Sequence, residues 1–298
     1  MYALTFRLLE VFRQVVDCGS VTAASTAMSL SQPTISLQLK KITEIIGMPL
    51  LEQYQGTLRM TEAGVAVYQC AQEIQNSQDK LHSQIQALKG METGALNLAV
   101  VTTVKYVIPP LLSSFCKAHP NIDVQFTIGN RAQVIERMEN NKDDLYIFSQ
   151  PPADMPIIAT PFQENELVVI APPDFQGPDQ CDLATLANNK FLLREPGSAT
   201  RNAIDEFCQT HHIKLDNVMM IESNDAIRLA VSSGLGLAIL SRHTVAQNAE
   251  DQIKILNVEG FPISTYWQVV TLKNRPISPA AESFRDLLIR HSEHTPLA

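Results

Sequence analysis

The stretch that most constrains the fold is Gly19 to Ile46, GSVTAASTAMSLSQPTISLQLKKITEII. It reads as two short helices joined by a tight turn. In the second helix Ile35, Leu39, Ile42 and Ile46 recur at spacings of four, three and four, so they share one buried face. The opposite face carries Thr34, Leu37 and Lys41, with Ser36 and Lys40 beside it. Ser31 stands where a helix needs its cap, and Pro33 is tolerated only in a first turn. A helix with a hydroxyl- and amide-rich start (Ser31, Gln32, Thr34) and a basic outer face suits insertion into a DNA major groove. The bland alternative is an amphipathic pair in a bundle whose outer Lys and Thr side chains meet water.

The flanks extend this picture. Residues 4–18 read as a first helix with Leu8, Phe12, Val15 and Val16 on its core face. Gly19-Ser20 ends it and caps the next helix, about 21–28, which is Ala-rich and able to pack closely. The third helix stops near Gly47 and Pro49. Pro49 to Thr61 holds strand-forming residues around Gly56 and reads as a β-wing.

Gly19-Ser20, Ala23-Ala24, Leu30 through Ser36, Pro49-Leu50-Leu51-Glu52 and Met60-Thr61-Glu62-Ala63-Gly64 together resemble the N-terminal signature of LysR-type transcriptional regulators. The resemblance implies a winged helix-turn-helix that binds double-stranded DNA at an inverted-repeat operator. The implied contacts are Ser20 and Thr22, the turn and first helical residues Ser31, Gln32, Pro33 and Thr34, then Ser36, Leu37, Gln38, Lys40 and Lys41, and Arg59 in the wing. The wing departs from the family pattern. Many members carry Arg where Gln53 stands, and the wing keeps only Arg59 for phosphate contact.

A net charge of −8 is unusual for a nucleic-acid binder, but its distribution matters more. Up to residue 65, Arg7, Arg13, Lys40, Lys41 and Arg59 balance Glu10, Asp17, Glu44, Glu52 and Glu62, so this segment is neutral and the acidity lies downstream. A neutral reading head needs two or four copies to accumulate phosphate contacts, with strong salt dependence.

From Glu62 to Leu88 runs a long helical segment without Pro. Val67, Ala71, Ile74, Gln78, Leu81, Ile85 and Leu88 alternate four and three apart, which is a heptad seam on an otherwise polar helix. Such a stripe needs a partner: a second copy of the helix, or its own domain. The resemblance implies the former, a homodimer or homotetramer assembled through this helix.

After Gly90-Met91-Glu92-Thr93-Gly94 the periodicity changes. Short apolar runs at 95–101, 123–128, 145–148, 168–171, 191–194, 219–222, 237–240 and 267–272 read as strands. Helical segments at 132–140, 200–211, 225–233 and 280–290 alternate with them. Thr102-Thr103 is expected to cap a further helix that holds Pro109-Pro110 near its start. Strand–helix alternation predicts open α/β sheets. The resemblance adds a crossover that makes two periplasmic-binding-protein-like lobes. The expected fold is therefore multidomain: a winged helix-turn-helix at 1–61, a dimerisation helix at 62–89, a hinge at 90–93 and an effector-binding domain at 94–298. Its first lobe is about 94–161 with 268–298, and its second about 162–267.

In open α/β lobes ligands bind beyond strand C-termini, at helix starts. Candidate loops hold Thr102, Thr103 and Lys105; Asn130 and Arg131; Gln150; and Gly197, Ser198, Thr200 and Arg201, with Asn224 before a later helix. Lys105, Arg131 and Arg201 in an acidic region suggest a small anionic metabolite. Against this, Ser and Thr before helices are commonly caps, and Arg131 and Arg201 have carboxylates available for pairing. Ala99 through Tyr106, Gly129-Asn130-Arg131, Asp143 through Ile147, Val168 through Pro173, Phe191 through Ser198 and Val258 through Pro262 further resemble the regulators of RuBisCO and carbon-uptake operons, as does Glu52-Gln53. That resemblance implies phosphorylated sugars, related metabolites or NADPH as effectors, and RNA polymerase as a further partner.

Other classes are disfavoured. There is no G-x-S-x-G, H-E-x-x-H or P-loop, no paired Cys/His metal spacing, and no complete dinucleotide fingerprint at Gly234-Leu235-Gly236. No enzyme activity, cofactor or metal is expected. Cysteines 18, 70, 116, 181 and 208 are odd in number and scattered, as for free thiols in a reducing cytoplasm. Some LysR-type regulators are thiol sensors, and the resemblance to them would put Cys208 at the second sensing cysteine, but Ala199 holds the place of the reactive one. With 45% hydrophobic and 18% charged residues, and no run able to span a bilayer, the chain reads as a soluble cytoplasmic protein with ample core and no membrane contact. The remaining alternative is a solute-binding or thiol-redox sensory module that does not regulate DNA through a ligand.

Overall fold

The computed structural model describes residues 4–54, 57–88, 93–178, 180–246, 253–273 and 275–294. The chain falls into two compact units, one carried mainly by the first 91 residues and the other by most of the rest.

The first unit is a winged helix-turn-helix followed by a long helix. Helix α1 (Phe6–Cys18) starts later than expected because the Thr5 hydroxyl caps it, accepting from the Leu8 N–H. Gly19 ends it in the left-handed region at φ 67°, where a side chain would be strained. Ser20 then caps α2 (Val21–Ala27) and Ser31 caps α3 (Gln32–Ile46), with Pro33 in the first turn. Val11, Val15, Ala24 and Ile35 are fully buried and lock the three helices together. Ile42 packs with Leu8, Leu9 and Phe12 in an adjoining cluster, so α3 turns its predicted face inward. Strands β1 (Leu51–Tyr54) and β2 (Thr57–Met60) pair antiparallel as the wing, with Glu52 opposite Arg59.

Helix α4 (Glu62–Leu88) is held at its base. The Thr61 hydroxyl donates to the Pro49 carbonyl at 2.6 Å and accepts from the Gly64 N–H at 3.0 Å. Gly64 is required there, since a Cβ would lie 2.0 Å from the Leu50 carbonyl oxygen. Tyr68 is buried and donates to Asp17 at 2.5 Å, which ties α4 to the end of α1. The expected seam divides. Val67, Ala71 and Ile74 pack within their own unit, whereas Leu81 and Ile85 are 57% and 40% exposed.

The second unit carries a nine-stranded sheet in the order β4 (Ile122–Gly129), β3 (Gly94–Val101), β5 (Leu145–Phe148), β13 (Ile263–Leu272), β6 (Ile157–Ala171), β10 (Leu237–Ser241), β8 (Phe191–Leu193) and β9 (Val218–Met220), with β11 (Lys254–Ile255) also on β6. Its first part comprises β3 (Gly94–Val101), a 3-10 turn (Thr102–Tyr106), α5 (Ile108–Ala118), β4 (Ile122–Gly129), α6 (Arg131–Glu139) and β5 (Leu145–Phe148). Strands β3, β4 and β5 are parallel. Thr102 and Thr103 do not cap α5. They form the 3-10 turn, and Val107 precedes α5 without a side-chain cap. Pro109 and Pro110 have no N–H to satisfy, so that helix start needs less capping.

Strand β6 (Ile157–Ala171) is far longer than the predicted 168–171. The stretch before Leu167 holds Pro161 and the polar run Gln163 to Glu166, which hides it from pattern reading. It pairs antiparallel with β13 (Ile263–Leu272), and the register shifts between Trp267 and Gln268, opposite Pro161–Gln163. A bulge is where a strand tolerates Pro. Beyond it lie β7 (Gln180–Cys181), α7 (Leu183–Leu186), β8 (Phe191–Leu193), α8 (Ala199–Thr210), β9 (Val218–Met220) and α9 (Asn224–Ser232). Then come β10 (Leu237–Ser241), α10 (Arg242–Val245), β11 (Lys254–Ile255), β12 (Asn257–Val258) and, after β13, α11 (Pro279–His294).

Period-two alternation explains the packing on both sides of this half of the sheet. Leu167, Val169 and Ala171 face Phe191 and Ile204, while Val168 and Ile170 face Leu192 and Ile227. The other half has one core around Leu98, Val100, Phe148, Trp267 and Phe284. Among the described residues no helix is long and apolar enough to cross a membrane.

Candidate functional site

The outer face of α3 is exposed. Ser31, Gln32, Pro33, Ser36, Leu37, Lys40 and Lys41 all meet solvent, and Thr34 and Gln38 are half-buried. The Ser31 and Thr34 hydroxyls bond each other at 2.8 Å, and Ser31 also accepts from the Thr34 N–H at 3.3 Å. This fixes the first turn with its hydroxyls at the rim of the face. Ser20 and Thr22 are exposed at the start of α2, where Ser20 serves as the cap and the Thr22 carbonyl accepts from Ser25. Lys40 lies 3.9 Å from Glu44, both well exposed, which is a weak surface pair. In the wing Arg59 is exposed, but its cross-strand neighbour Glu52 sets a negative charge beside it.

The second group of candidates lies where the two halves of the nine-stranded sheet meet. Lys105 and Tyr106, on the 3-10 turn after β3, both donate to the Asp225 carboxylate in the first turn of α9. Burial pulls the Asp225 carboxyl up, yet the Lys105 and Tyr106 bonds outweigh it and hold the group below the usual carboxylate range. Burial and the same bond push the Tyr106 phenol far above its ordinary value. A second bridge runs from the Asn202 side chain on α8 to the Gln150 side chain after β5, at 3.0 Å. The Gln150 carbonyl accepts from the Arg131 guanidinium at 3.2 Å.

Several predicted residues have local partners instead. Asn130 and Gln133 cap each other reciprocally at 2.9 Å, so Asn130 is the start of α6. Ser198 is buried and caps α8, accepting from the Arg201 N–H at 3.2 Å. Arg201 bonds Asp205 at 2.8 Å and the Arg194 carbonyl at 3.1 Å, so it is no isolated cation. Gly197 holds φ 85°, which turns the chain from β8 into α8. Thr103 and Thr200 are buried; Thr102 is half-buried.

Asn224 differs from all of these. It is the first residue of α9, not the residue before it, and Ser223 supplies the cap. Its side chain is 4% exposed, and neither its amide nitrogen nor its carbonyl oxygen meets a protein partner. Leaving such a group unpaired costs about 1–3 kcal/mol. It sits at a helix start, beside the Asp225 bridge.

Sequence reasoning missed Asp225 and Asn202 as site residues, and left Tyr106 out of the contact set. An acid in the first turn of a helix normally reads as a response to the helix dipole, which masks any longer-range role. Among the described residues no group of three His, Cys, Asp or Glu could hold a metal ion. Cys181 and Cys208 are free and half-buried, and burial pushes both thiols up, away from a reactive thiolate.

Known proteins match both units. Residues 6–65 match the bacterial regulatory helix-turn-helix proteins of the lysR family, and 89–293 match the LysR substrate binding domain. The HTH-type transcriptional activator CmpR of Synechocystis sp. is 40% identical over 299 residues, covering 99% of this chain and 98% of that protein. The RuBisCO operon transcriptional regulator of Acidithiobacillus ferrooxidans is 36% identical over 291 residues, covering 97% and 94%. The Synechocystis CcmR regulatory domain, solved in complex with 2-PG, is 37% identical with a TM-score of 0.64, covering 68% of this chain and all 100% of that one. A capped helix with an exposed polar face, a wing, and an α/β domain matched along its length thus converge: the chain belongs to the LysR family, is closely related to the regulators of RuBisCO and carbon-fixation operons, and is a DNA-binding transcriptional regulator, not an enzyme.

Proposed function

We propose that a small anionic metabolite binds between the two lobes of the second unit and thereby changes how the chain engages an inverted-repeat operator. The bulge at Trp267 and Gln268 marks the lobe boundary in this reading. The observation that carries it is Asn224, a buried amide with both polar ends unmatched by protein, next to the Lys105 and Tyr106 bridge. The 2-PG held by the similar CcmR domain supports a small-molecule ligand here too.

Binding affects DNA only insofar as the ligand prefers one arrangement of the lobes. An anion competes with Asp225 for Lys105 and so favours a different closure. DNA contact falls to the outer face of α3, helped by Ser20, Thr22 and Arg59. The chain works in the cytoplasm as a homodimer or homotetramer, with α4 as the seam and RNA polymerase as a further partner.

A thermal-shift series of the full-length chain against phosphorylated and carboxylate metabolites, 2-PG included, tests the site. Wild type is expected to be stabilised by at least one anion that leaves Asn224→Leu and Lys105→Ala unmoved. If every stabilising anion acts equally on all three proteins, the ligand does not bind there.

A further inference from the structure

We infer that Leu37 reads the 5-methyl group of a thymine, and so selects a T·A pair in the preferred DNA site. The inference rests on the reading above in which α3 enters the major groove.

Leu37 is 68% exposed, more than any other large apolar side chain among the described residues. A single exposed leucine is ordinary on a protein surface. Its position is not. Ile35 and Ile42 on the same helix are fully buried, and Leu37 stands on the side turned away from them. Its neighbours one turn away are Pro33, Thr34, Lys40 and Lys41. Leu37 therefore occupies the middle of the outer face of α3, ringed by hydroxyls and cations that suit phosphates and base edges.

Leu37 has no donor or acceptor of its own. Placed against a guanine or cytosine edge, it would strip water from polar atoms and return nothing. The apolar feature the major groove offers is the thymine methyl, which stands apart from every other base-edge group. The leucine thus favours thymine by contact and disfavours other bases by leaving their polar atoms dry.

The test uses the full-length protein and a duplex selected by it from a random pool. Each thymine of the selected site is replaced singly by uracil, which removes the methyl and nothing else. For wild type, one thymine per half-site is expected to lose about threefold to fivefold in affinity, the loss that one buried methyl group accounts for. Leu37→Ala is expected to bind more weakly yet show no loss at that same position, while Leu37→Met, which keeps an apolar reach, retains it. Should the alanine variant bind too weakly to measure, the methionine variant and the wild-type scan decide alone. A flat uracil scan in wild type overturns the inference, as does a uracil loss that persists in Leu37→Ala. A leucine covered by a second copy of the chain gives the flat scan. A protein that selects no site at all overturns the α3 reading itself, a result distinct from a selected site without methyl dependence.

Discussion

Lys105 donates to the Asp225 carboxylate across the two halves of the effector sheet, so the chain's own acid already occupies a cation of the proposed ligand site. Asp225 is thus placed to compete with an incoming anion. Asp225→Asn removes that competition and one like charge. Anion affinity measured by calorimetry at neutral pH is expected to rise by about threefold to tenfold, given the weak screening of a partly exposed pair. A fall in affinity would mean that Asp225 helps hold the ligand instead.

The same bridge has a defined pH window. The Asp225 carboxyl is depressed in the folded state, so its contribution to stability is fully present above the ordinary value of about 4 and is lost as pH falls through the lower folded one. Between about pH 6 and 8 the bridge is constant, and calorimetric affinity for a fully ionised anion should not drift on its account.

Glu52 stands opposite Arg59 in the wing, where it offsets the wing's basic residue. Glu52→Gln is expected to tighten DNA binding about twofold to threefold at low salt, with the gain shrinking as salt screens it. Unchanged affinity across a salt series would show that the wing does not approach phosphate.

On α4 the exposed pair Leu81 and Ile85 continues a stripe whose earlier members are already covered. Under the proposed pairing through α4, replacing both by Glu is expected to convert the assembly to monomer in sedimentation velocity, because like charges would then face each other across the seam. A dimer that survives both substitutions assembles elsewhere.

Tyr68 bonds Asp17 from a buried position, so Tyr68→Phe should cost about 1–2 kcal/mol of the stability of the N-terminal unit. Chemical denaturation followed by far-UV dichroism reads it directly. No change in midpoint would assign the bond no net worth.

Much of this architecture was legible in the sequence because it is local. Ser20, Ser31 and the four-three-four spacing of Ile35, Leu39, Ile42 and Ile46 determine two helix starts and one buried face within a few residues. The long helix Glu62–Leu88 follows from its four-three periodicity and its lack of Pro. The part of β6 before Leu167 was not legible, since Pro161 and four polar residues interrupt the pattern, and only the partner β13 makes sense of them. The site was less legible than the fold. Asn130, Ser198 and Arg201 look like ligand groups by type but have partners three or four residues away. Asp225 meets Lys105 across 120 residues of chain, a relation no local spacing encodes.

The most direct test joins the ligand to the DNA. A nuclease footprint of the full-length protein is taken on the duplex upstream of its own gene, with and without the anion that stabilises wild type most. The protected length or the pattern of enhanced cleavage is expected to change on adding the anion to wild type and to stay fixed in Asn224→Leu. An identical footprint in both conditions, or a change that survives undiminished in Asn224→Leu, would contradict a ligand acting on DNA from between the lobes.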